Sequence, residues 1–406
     1  MTPSPPAPRR LEDGPGRIFE LIATGRARTR PALISETGLS RSTILQRLET
    51  LAEHGLITES DELVRSGGRP SRALALNPAA GRLAAVDFGE ARTRVALTDL
   101  DGRVLVEHVQ RLSLQDGPEA LLDRVSEVIR ELLDEPEAEG QPLTAIGLGL
   151  PAPVDYAGGR TLGWSIMSGW DDFDITGHLG RSWDVPVVVD NDVNLLTLAE
   201  LRRHWPSAQH MLYVKVGTGI GSGLIVDRQL HRGAQGAAGD IGHAHMRGYG
   251  DPQCRCGNLG CLEALAGGWA LAEALRESHD EALSDARDVV RLVRRGDPQA
   301  VASLRAAGRI IGEAAAFTTS LFNPSVIVLG GSLSTAGDQL VASVREVVYQ
   351  NTLPLATRQL RIVPAQADEH AGIIGAALLA RDHVFEPRRL DAAIVAGTLR
   401  SRRRSA

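Results

Sequence analysis

The amino-acid sequence predicts an α/β protein that carries a small helix-turn-helix unit near its N-terminal end. From Arg82 onward, strand-like apolar segments alternate with amphipathic helical segments. Glycine-rich turns follow several of the strands, as in "GTGIGSG" and "SVIVLGG". Before Arg82, two short helical segments flank a glycine, and two β-like segments, "GLITES" and "RALALNP", follow them. Since ligands of α/β folds bind beyond the carboxyl ends of the strands, we expect the functional site there.

The N-terminal helical pair has the pattern of a DNA-reading motif. A first helix is predicted over 31–37, Gly38-Leu39 forms a turn, and Ser40 is a favourable N-cap for the second helix. A buried stripe on the second helix leaves its opposite face polar and basic. The stripe is Ile44, Leu48 and Leu51, and the candidate DNA contacts are Arg41, Ser42, Thr43, Gln46 and Arg47. We therefore predict a winged helix-turn-helix over 17–78, with a solvated helical hairpin as the alternative.

The flanking segments agree with a DNA-binding role. Residues 1–16 are rich in proline and are predicted to be a disordered tail. Arg69, in "SGGRPS" between the two β-like segments, is a candidate to reach the minor groove as a flexible arm does. Residues 1–78 carry 11 arginines against 9 acidic residues, whereas the whole chain has a net charge of −6. A cationic segment on an acidic body suggests a polyanion partner.

Composition favours a cytoplasmic protein without membrane segments. The 406 residues include only three cysteines, and an odd number excludes a fully paired disulfide framework. The opening "MTPSPPAPRR" lacks the apolar core of a signal peptide. The longest apolar segments are interrupted, one of them at Asn323-Pro324, or are too short to cross a bilayer. In a reducing compartment, clustered cysteines indicate metal binding or catalysis.

All three cysteines lie within eight positions, in "GDIGHAHMRGYGDPQCRCGNLGCLEA". Cys254, Cys256 and Cys261 offer three thiolates, and His243 offers an imidazole. Four such ligands form a closed tetrahedral zinc site with no position left for a catalytic water. His245 competes as the fourth ligand. The alternative is three small buried residues that bind no metal.

Two further motifs carry polar groups at strand ends. "GTGIGSG" (217–223) could cradle a phosphate with its backbone N–H groups, or it could be an ordinary glycine-rich hairpin. "DNDVN" (190–194) could hydrogen-bond sugar hydroxyls or supply a general base, or its Asp and Asn residues could simply cap a helix. The residues alone leave both pairs of alternatives open.

These motifs, in this order, resemble the ROK family of repressors, open reading frames and sugar kinases. The resemblance covers about residues 17–381. The helix-turn-helix followed by "SGGRPS" resembles the regulators of that family, such as the xylose and N-acetylglucosamine repressors, because the kinases lack that segment. The most specific features are "GTGIGSGLI", the Gly-Asp-Ile-Gly-His stretch and "CRCGNLGCLE".

The resemblance implies a two-lobed, actin- and hexokinase-like body with a cleft between the lobes. Lobe 1 would span 82–195, completed by 371–390, and lobe 2 would span 196–370 with the zinc site and a dimerisation surface. Structural zinc would bind His243, Cys254, Cys256 and Cys261. Sugar contacts would come from Asn191, Asp192, Asp240, His243 and Glu263. In the kinases of the family, the position of Asp192 holds the general base.

Three departures separate the chain from those kinases. Glu90 and Ala91 stand where the kinases have a phosphate-binding Gly and Thr, which places a carboxylate where phosphates would lie. Asp240 replaces the usual Glu, and Ile166 replaces a usual Asn. Kinase activity is therefore not expected, and the altered pocket predicts a sugar or sugar derivative other than a plain hexose as the effector.

The prediction is a sugar-responsive repressor, homodimeric or homotetrameric, that binds double-stranded operator DNA with two-fold character. One alternative is an active sugar kinase with an added DNA-binding domain. Another is a redox or zinc sensor in which metal loss releases DNA.

Overall fold

The computed structural model of the chain describes residues 14–64, 71–89, 92–112, 114–138, 140–162, 169–279, 282–366 and 369–399. The first five elements form a small unit that we call the head. It contains three helices and two strands: α1 Pro15–Ala23, α2 Arg30–Thr37, α3 Arg41–Glu53, β1 Ile57–Val64 and β2 Ser71–Leu76. Strands β1 and β2 pair antiparallel. The two predicted helices and the two β-like segments are therefore present.

Local sequence signals set the α2–α3 turn. Gly38 ends α2 with φ of 69°, a left-handed conformation that glycine adopts without steric cost. The Ser40 side chain accepts a hydrogen bond from the Thr43 backbone N–H at 3.2 Å, which caps α3 as predicted. Ile44, Leu48 and Leu51 are buried, as their spacing predicts.

The remaining chain builds two five-stranded mixed sheets with the same strand pattern. The elements are β3 Arg82–Phe88, β4 Thr93–Thr98, β5 Val104–Gln110, α4 Pro118–Leu133, β6 Leu143–Leu150, β7 Val154–Asp155, β8 Arg160–Thr161, α5 Ile175–Gly180, β9 Val187–Asn191, α6 Asp192–His204, β10 Met211–Val216, β11 Ile220–Val226, β12 Gln229–His231, α7 Leu262–Ala266, α8 Gly268–Arg276, α9 Ala286–Arg294, α10 Pro298–Phe322, β13 Val326–Gly330, α11 Gln339–Asn351, α12 Pro354–Thr357, β14 Arg361–Pro364, α13 Ala371–Val384 and α14 Pro387–Ala396.

The lobe 1 sheet has the order β5-β4-β3-β6-β9, and the lobe 2 sheet has the order β12-β11-β10-β13-β14. In each sheet, the first three strands pair antiparallel and the last two add in parallel. The alternation of strands and helices thus gives the predicted α/β class.

Helices α6 and α13 pack against each other between the two sheets. Helix α13 covers β3 and β6, and α6 lies on β10 and β11. The crossing is close, since a Cβ on Gly375 would lie 2.2 Å from the Leu195 carbonyl oxygen. Helix α6 runs unbroken through the boundary predicted between 195 and 196, and it contacts strands of both sheets.

The C-terminal helix α14 docks on the head, a contact that the sequence did not reveal. It packs against α1, where the Phe19 and Phe385 ring centroids are 4.8 Å apart. Asp391 accepts a hydrogen bond from the Gly16 backbone N–H at 2.7 Å. Because this bond satisfies an amide of the first turn of α1, Pro15 and Gly16 are helical, and the prediction of disorder through residue 16 is wrong at its end.

Several predictions concern positions outside the described residues. These are the tail over 1–13, Arg69, Glu90, Ala91 and Ile166. Within the described ranges, none of the helices is both long enough and apolar enough to cross a bilayer.

Candidate functional site

The three cysteines and one histidine converge on a single point in the loop between β12 and α7. One potential ligand atom from each of His243, Cys254, Cys256 and Cys261 lies within 4.8 Å of the others. His243 Nδ1 is 3.7 Å from Cys254 Sγ, and Cys256 Sγ is 3.7 Å from Cys261 Sγ. The loop folds back on itself through backbone pairs, among them Gln253 with Leu259.

The chemistry of this donor set fits a tetrahedral zinc ion. Three sulfurs and one imidazole nitrogen are zinc ligands in proteins, and four of them close the coordination shell. Burial raises the pKa of the Cys254 and Cys261 thiols, that of Cys261 to about 12. Thiolates at these positions therefore require a cation beside them.

The competing ligand His245 points elsewhere. Its Nε2 lies 3.0 Å from Asp251 Oδ1, and half of its side chain is exposed. The structure thus selects His243 for the cluster. Since its Nδ1 faces the thiols, its other ring nitrogen, Nε2, remains for a neighbouring cavity that His243 also lines.

A cavity of about 390 Å³ lies beside the cluster, between the ends of β9 and β10 and the loop that follows β12. All five residues predicted to contact a sugar line it: Asn191, Asp192, Asp240, His243 and Glu263. The "GTGIGSG" turn contributes Gly219 and Gly221. The volume suits a small organic ligand.

At the end of β9, capping and cavity lining coexist in "DNDVN". Asn191 caps α6 by accepting from the Val193 N–H at 3.0 Å, and its amide donates to the Ala152 carbonyl oxygen at 3.0 Å. Asp190 is buried and pairs with Arg232 at 2.8 Å. Asn191 therefore acts as a helix cap, which was one of the two alternatives for this motif. The carboxylate of Asp192 lines the cavity.

Asp192 forms an ion pair with Lys215 on β10. Asp87, at the end of β3, belongs to the same charge cluster. Burial and the Asp192 charge raise the pKa of Asp87 to about 6, against the opposing charges of Lys215 and Arg94. Lobe 1 and lobe 2 strands thus meet here through charged groups.

The carboxylates of Glu263 and Asp240 differ in their hydrogen bonds and in their exposure. Glu263 is buried, and its two oxygens accept from the Ile220 N–H at 3.0 Å and the Trp269 indole N–H at 3.2 Å. The bond from Ile220 occupies a backbone amide of the glycine turn, so Glu263 stabilises the position of that turn. Asp240 is exposed to the cavity.

Sequence reasoning missed two cationic residues of the cavity, Lys215 and Arg255. Lys215 is the only lysine of the chain and stands two residues before the glycine turn, a signal that could have identified it. Arg255 lies between two cysteines and stacks over Trp269, with its guanidinium carbon 4.7 Å from the ring centroid. Nothing local in the sequence indicates that stacking.

The candidate DNA-contacting residues divide into two groups. Arg41, Ser42 and Gln46 are exposed on α3, and Thr43 is half-exposed beside them. Ser40 Oγ lies 2.9 Å from the hydroxyls of both Ser42 and Thr43.

Arg47 is the exception, because it is half-buried. Burial raises the pKa of Asp391 on α14, and the Arg47 charge opposes that rise. Arg47 is therefore less exposed than Arg41, Ser42 and Gln46 and lies within range of the Asp391 charge.

The head contacts both lobes. Helix α14, which follows the lobe 1 helix α13, packs on α1. From the lobe 2 sheet, Arg228 in the β11–β12 turn donates to the Thr24 carbonyl oxygen at 3.4 Å. A relative movement of the lobes would therefore be transmitted to the head through two contacts.

A family model described as "ROK family" matches residues 83–383, which is more than half of the chain. The xylose repressor of Bacillus subtilis (strain 168) is 26% identical over 363 residues, covering 88% of this chain and 92% of that protein. A glucokinase of Thermotoga maritima is 28% identical over 320 residues, covering 75% of this chain and 98% of that enzyme.

Among solved structures, a ROK family transcriptional regulator described as a homologue of the Escherichia coli MLC protein superposes with a TM-score of 0.78. It is 25% identical to this chain and covers 94% of it, and 98% of that chain is matched. The similarity to regulators therefore extends over almost the whole molecule.

Proposed function

This chain belongs to the ROK family, and we propose that it is a sugar-responsive transcriptional repressor. One observation carries the proposal: a head with an exposed polar helix contacts both lobes that flank a polar, sugar-sized cavity. The similarity to the Bacillus subtilis xylose repressor and to the MLC-related regulator, each over most of both chains, supports it.

The head is proposed to be a winged helix-turn-helix that reads operator DNA with α3. Arg41, Ser42, Thr43 and Gln46 supply the donors and acceptors at the exposed start of that helix. The hairpin β1–β2 would be the wing, with Arg69 at the segment between its strands. Arg47 would contribute charge near the interface rather than a base contact.

The cavity is proposed to bind a sugar or a sugar derivative. Carboxylates at Asp192 and Asp240 can each accept hydrogen bonds from adjacent hydroxyls, and Asn191 and Glu263 hold the surrounding backbone. If His243 held the metal through Nδ1, its neutral ring would carry the proton on Nε2 and could donate a hydrogen bond to a sugar hydroxyl oxygen.

The cysteine cluster is proposed to hold one structural zinc ion per chain. Such an ion would hold the two ends of the loop together and would fix the orientation of the His243 ring toward the cavity. Zinc would thereby link the stability of the loop to the shape of the sugar site. A role as a redox or metal sensor is less favoured, because Cys254 and Cys261 are buried.

We infer that the chain lacks kinase activity. The ammonium group of Lys215 forms an ion pair with Asp192, which stands at the position of the family's general base, so this carboxylate is already engaged. Glu90 and Ala91 in place of the phosphate-binding Gly and Thr point in the same direction. Because one relative is a glucokinase, the alternative function is that of an active sugar kinase. A coupled ATPase assay over a panel of sugars distinguishes the two functions, and no ATP turnover is expected.

A homodimer is proposed to present two heads to an operator with two-fold character. Lobe 2 offers a surface for it, since four large apolar side chains are at least two-thirds exposed there. They are Phe317 and Leu321 on α10, and Leu353 and Leu355 at the start of α12. Exposed apolar side chains in such number are typical of an interface.

The function is tested by selecting bound fragments from sheared genomic DNA of the source organism with the purified protein. A small set of enriched sites, each released by one monosaccharide or sugar derivative, is expected. Retention of random fragments alone, with no site enriched, would contradict a sequence-specific regulator.

A further inference from the structure

Arg232 follows β12 of the lobe 2 sheet, and its side chain contacts two segments of lobe 1. Its Nε donates to Asp190 Oδ2 at 2.8 Å, and Asp190 lies on the lobe 1 strand β9. Its guanidinium carbon lies 3.9 Å from the ring centroid of Tyr156, in the turn between β7 and β8. A charge-assisted hydrogen bond and a cation over an aromatic face are both attractive. One lobe 2 side chain thus joins two segments of lobe 1.

The Asp190 contact lies next to the proposed sugar cavity. Asp190 is buried and immediately precedes Asn191 and Asp192, which line the cavity. Its second oxygen accepts from the Asn191 backbone N–H at 2.8 Å and from the Asn194 side-chain amide at 2.7 Å. A displacement of Arg232 would leave this buried carboxylate without its cation, which is costly.

The loop after Arg232 forms a wall of the same cavity. Its five consecutive residues 236–240 line the cavity. The Ala238 backbone N–H donates to the Arg232 carbonyl oxygen at 3.1 Å. The loop also packs closely on β7, since a Cβ on Gly236 would lie 2.5 Å from the Val154 carbonyl oxygen. A sugar that draws this loop toward its hydroxyls would therefore move Arg232 as well.

Tyr156 continues the connection toward the C-terminal helix. Its hydroxyl oxygen lies 3.2 Å from Nδ1 of His383, in the last turn of α13, and Arg389 on α14 hydrogen-bonds the other ring nitrogen, Nε2. Because a guanidinium group only donates, Nε2 accepts, and the ring proton on Nδ1 points to the tyrosine oxygen. Burial, followed by the charges of Arg389 and Arg232, lowers the pKa of His383 to about 4, so the ring is in this neutral form near pH 7.

Two connections therefore run from Arg232 to the head. The first passes through Tyr156 and His383 to α14, which packs on α1. The second is β12 itself, because Arg228 at its other end donates to the Thr24 carbonyl oxygen of the head at 3.4 Å. A displacement of Arg232 is expected to reach both ends of this contact surface.

We propose that Arg232 couples sugar binding to the position of the head, an inference that rests on the proposed function. A regulator needs two arrangements that differ in affinity for DNA, and the sugar must favour one of them. The contacts of Arg232 cross between the lobes, so they change when the lobes move relative to each other. Arg232 is not among the residues that line the cavity, and its role is that of a positioning residue.

Two measurements on the zinc-loaded, full-length protein test the proposal. Fluorescence anisotropy gives the affinity for the operator selected from genomic DNA, with and without D-xylose or D-glucose. Hydrogen exchange of the 233–240 amides, with and without the operator, measures the same coupling from the other site, because coupling is reciprocal. In the wild type, the sugar should weaken operator binding about 5- to 150-fold, and the operator should change the exchange of 233–240.

The double variant Arg232→Gln/Asp190→Asn removes both charges together, so that no buried carboxylate is left unpaired. It should still bind the operator, and calorimetry should show that it still binds the sugar. The sugar should no longer change its operator affinity, and the operator should no longer change the exchange of 233–240.

Tyr156→Phe guards against a folding defect, since it keeps the ring under the guanidinium group and removes only the hydroxyl. It should reduce the effect of the sugar on operator affinity roughly 2- to 10-fold, as expected for the loss of one hydrogen bond. Arg361→Gln on β14, at the opposite edge of the lobe 2 sheet from β12, is the matched control. It removes the same kind of contact, a guanidinium carbon 4.5 Å from the Trp205 ring centroid, and should respond as the wild type does.

Wild-type coupling in the double variant and in Tyr156→Phe overturns the proposal, and Tyr156→Phe alone decides if the double variant does not fold. Loss of sugar binding in the double variant also overturns it, because that result would assign Arg232 to the sugar site. A wild-type protein that binds no operator contradicts the proposed function instead, so the two failures are distinguishable.

Discussion

Lys215, the only lysine of the chain, forms an ion pair with Asp192 inside the proposed sugar cavity. The pair joins β10 of the lobe 2 sheet to the first residue of α6, which continues from the lobe 1 strand β9. It thus connects the two lobes at the ligand site. A sugar that enters would have to bond to this pair or separate it.

Lys215→Met should destabilise the protein by about 1–3 kcal/mol, because it leaves the largely buried Asp192 carboxylate without its cation. Urea unfolding measures the change. Asp192→Asn and the Lys215→Met/Asp192→Asn double variant complete a double-mutant cycle. The losses of unfolding free energy in the two single variants should add up to more than the loss in the double variant. Additive losses would mean that the ion pair contributes no coupling energy.

Asp87 should make stability depend on pH. Burial and the Asp192 charge raise its pKa to about 6, so the folded state binds this proton more tightly than the unfolded chain does. The ionised carboxylate therefore costs stability increasingly as pH rises from about 4 to about 6. Asp87→Asn should match the wild type near pH 4 and exceed it by about 1–2 kcal/mol at pH 7.5, since partial exposure screens part of the effect. A difference that is the same at both pH values would contradict this assignment.

The head could be predicted largely from the sequence because its signals are local. Gly38 and Ser40 act within one turn, and the stripe of Ile44, Leu48 and Leu51 needs only the helical period. The cysteine cluster was predictable for a similar reason: its ligands are few and close in sequence. The choice of His243 over His245 came from the family resemblance, and the geometry agrees with it.

Contacts between distant segments could not be predicted in this way. Lys215 and Asp192 lie on different elements, and their pairing depends on how α6 crosses the lobe 2 sheet. Arg47 fits a polar helix face by its spacing, yet it is half-buried and its charge acts on the pKa of Asp391 on α14. The helical period of a sequence does not reveal which other element of the fold will cover one side of a helix.

Zinc content should depend on Cys256 and not on His245. Cys256→Ser should lower the zinc content from about one ion per chain and should lower the melting temperature, since metal binding contributes to folding. His245→Ala is the control and should retain zinc, because its ring bonds Asp251 instead of the cluster. Elemental analysis and thermal unfolding measure both. Full stability of Cys256→Ser without metal would remove the structural role of the ion.

Gln46 should read the operator. Gln46→Ala should weaken binding to the selected operator by about 1–3 kcal/mol and leave binding to random DNA unchanged, as expected for a base contact. Fluorescence anisotropy with both DNAs measures this, with Gln350→Ala on α11 as the exposed control. An equal loss on both DNAs would indicate a phosphate contact, and no loss would exclude Gln46 from the interface.

The measurement that tests the account most directly is operator affinity of Asp240→Ala, with and without the sugar that releases the wild type. The sugar should weaken operator binding by the wild type about 5- to 150-fold, the usual range of coupling between sites. Asp240 is exposed in the cavity and is distinct from the four residues of the zinc cluster. The variant should therefore keep its zinc and its sugar-free operator affinity while losing the response. A variant that responds to the sugar as the wild type does would show that the effector binds elsewhere.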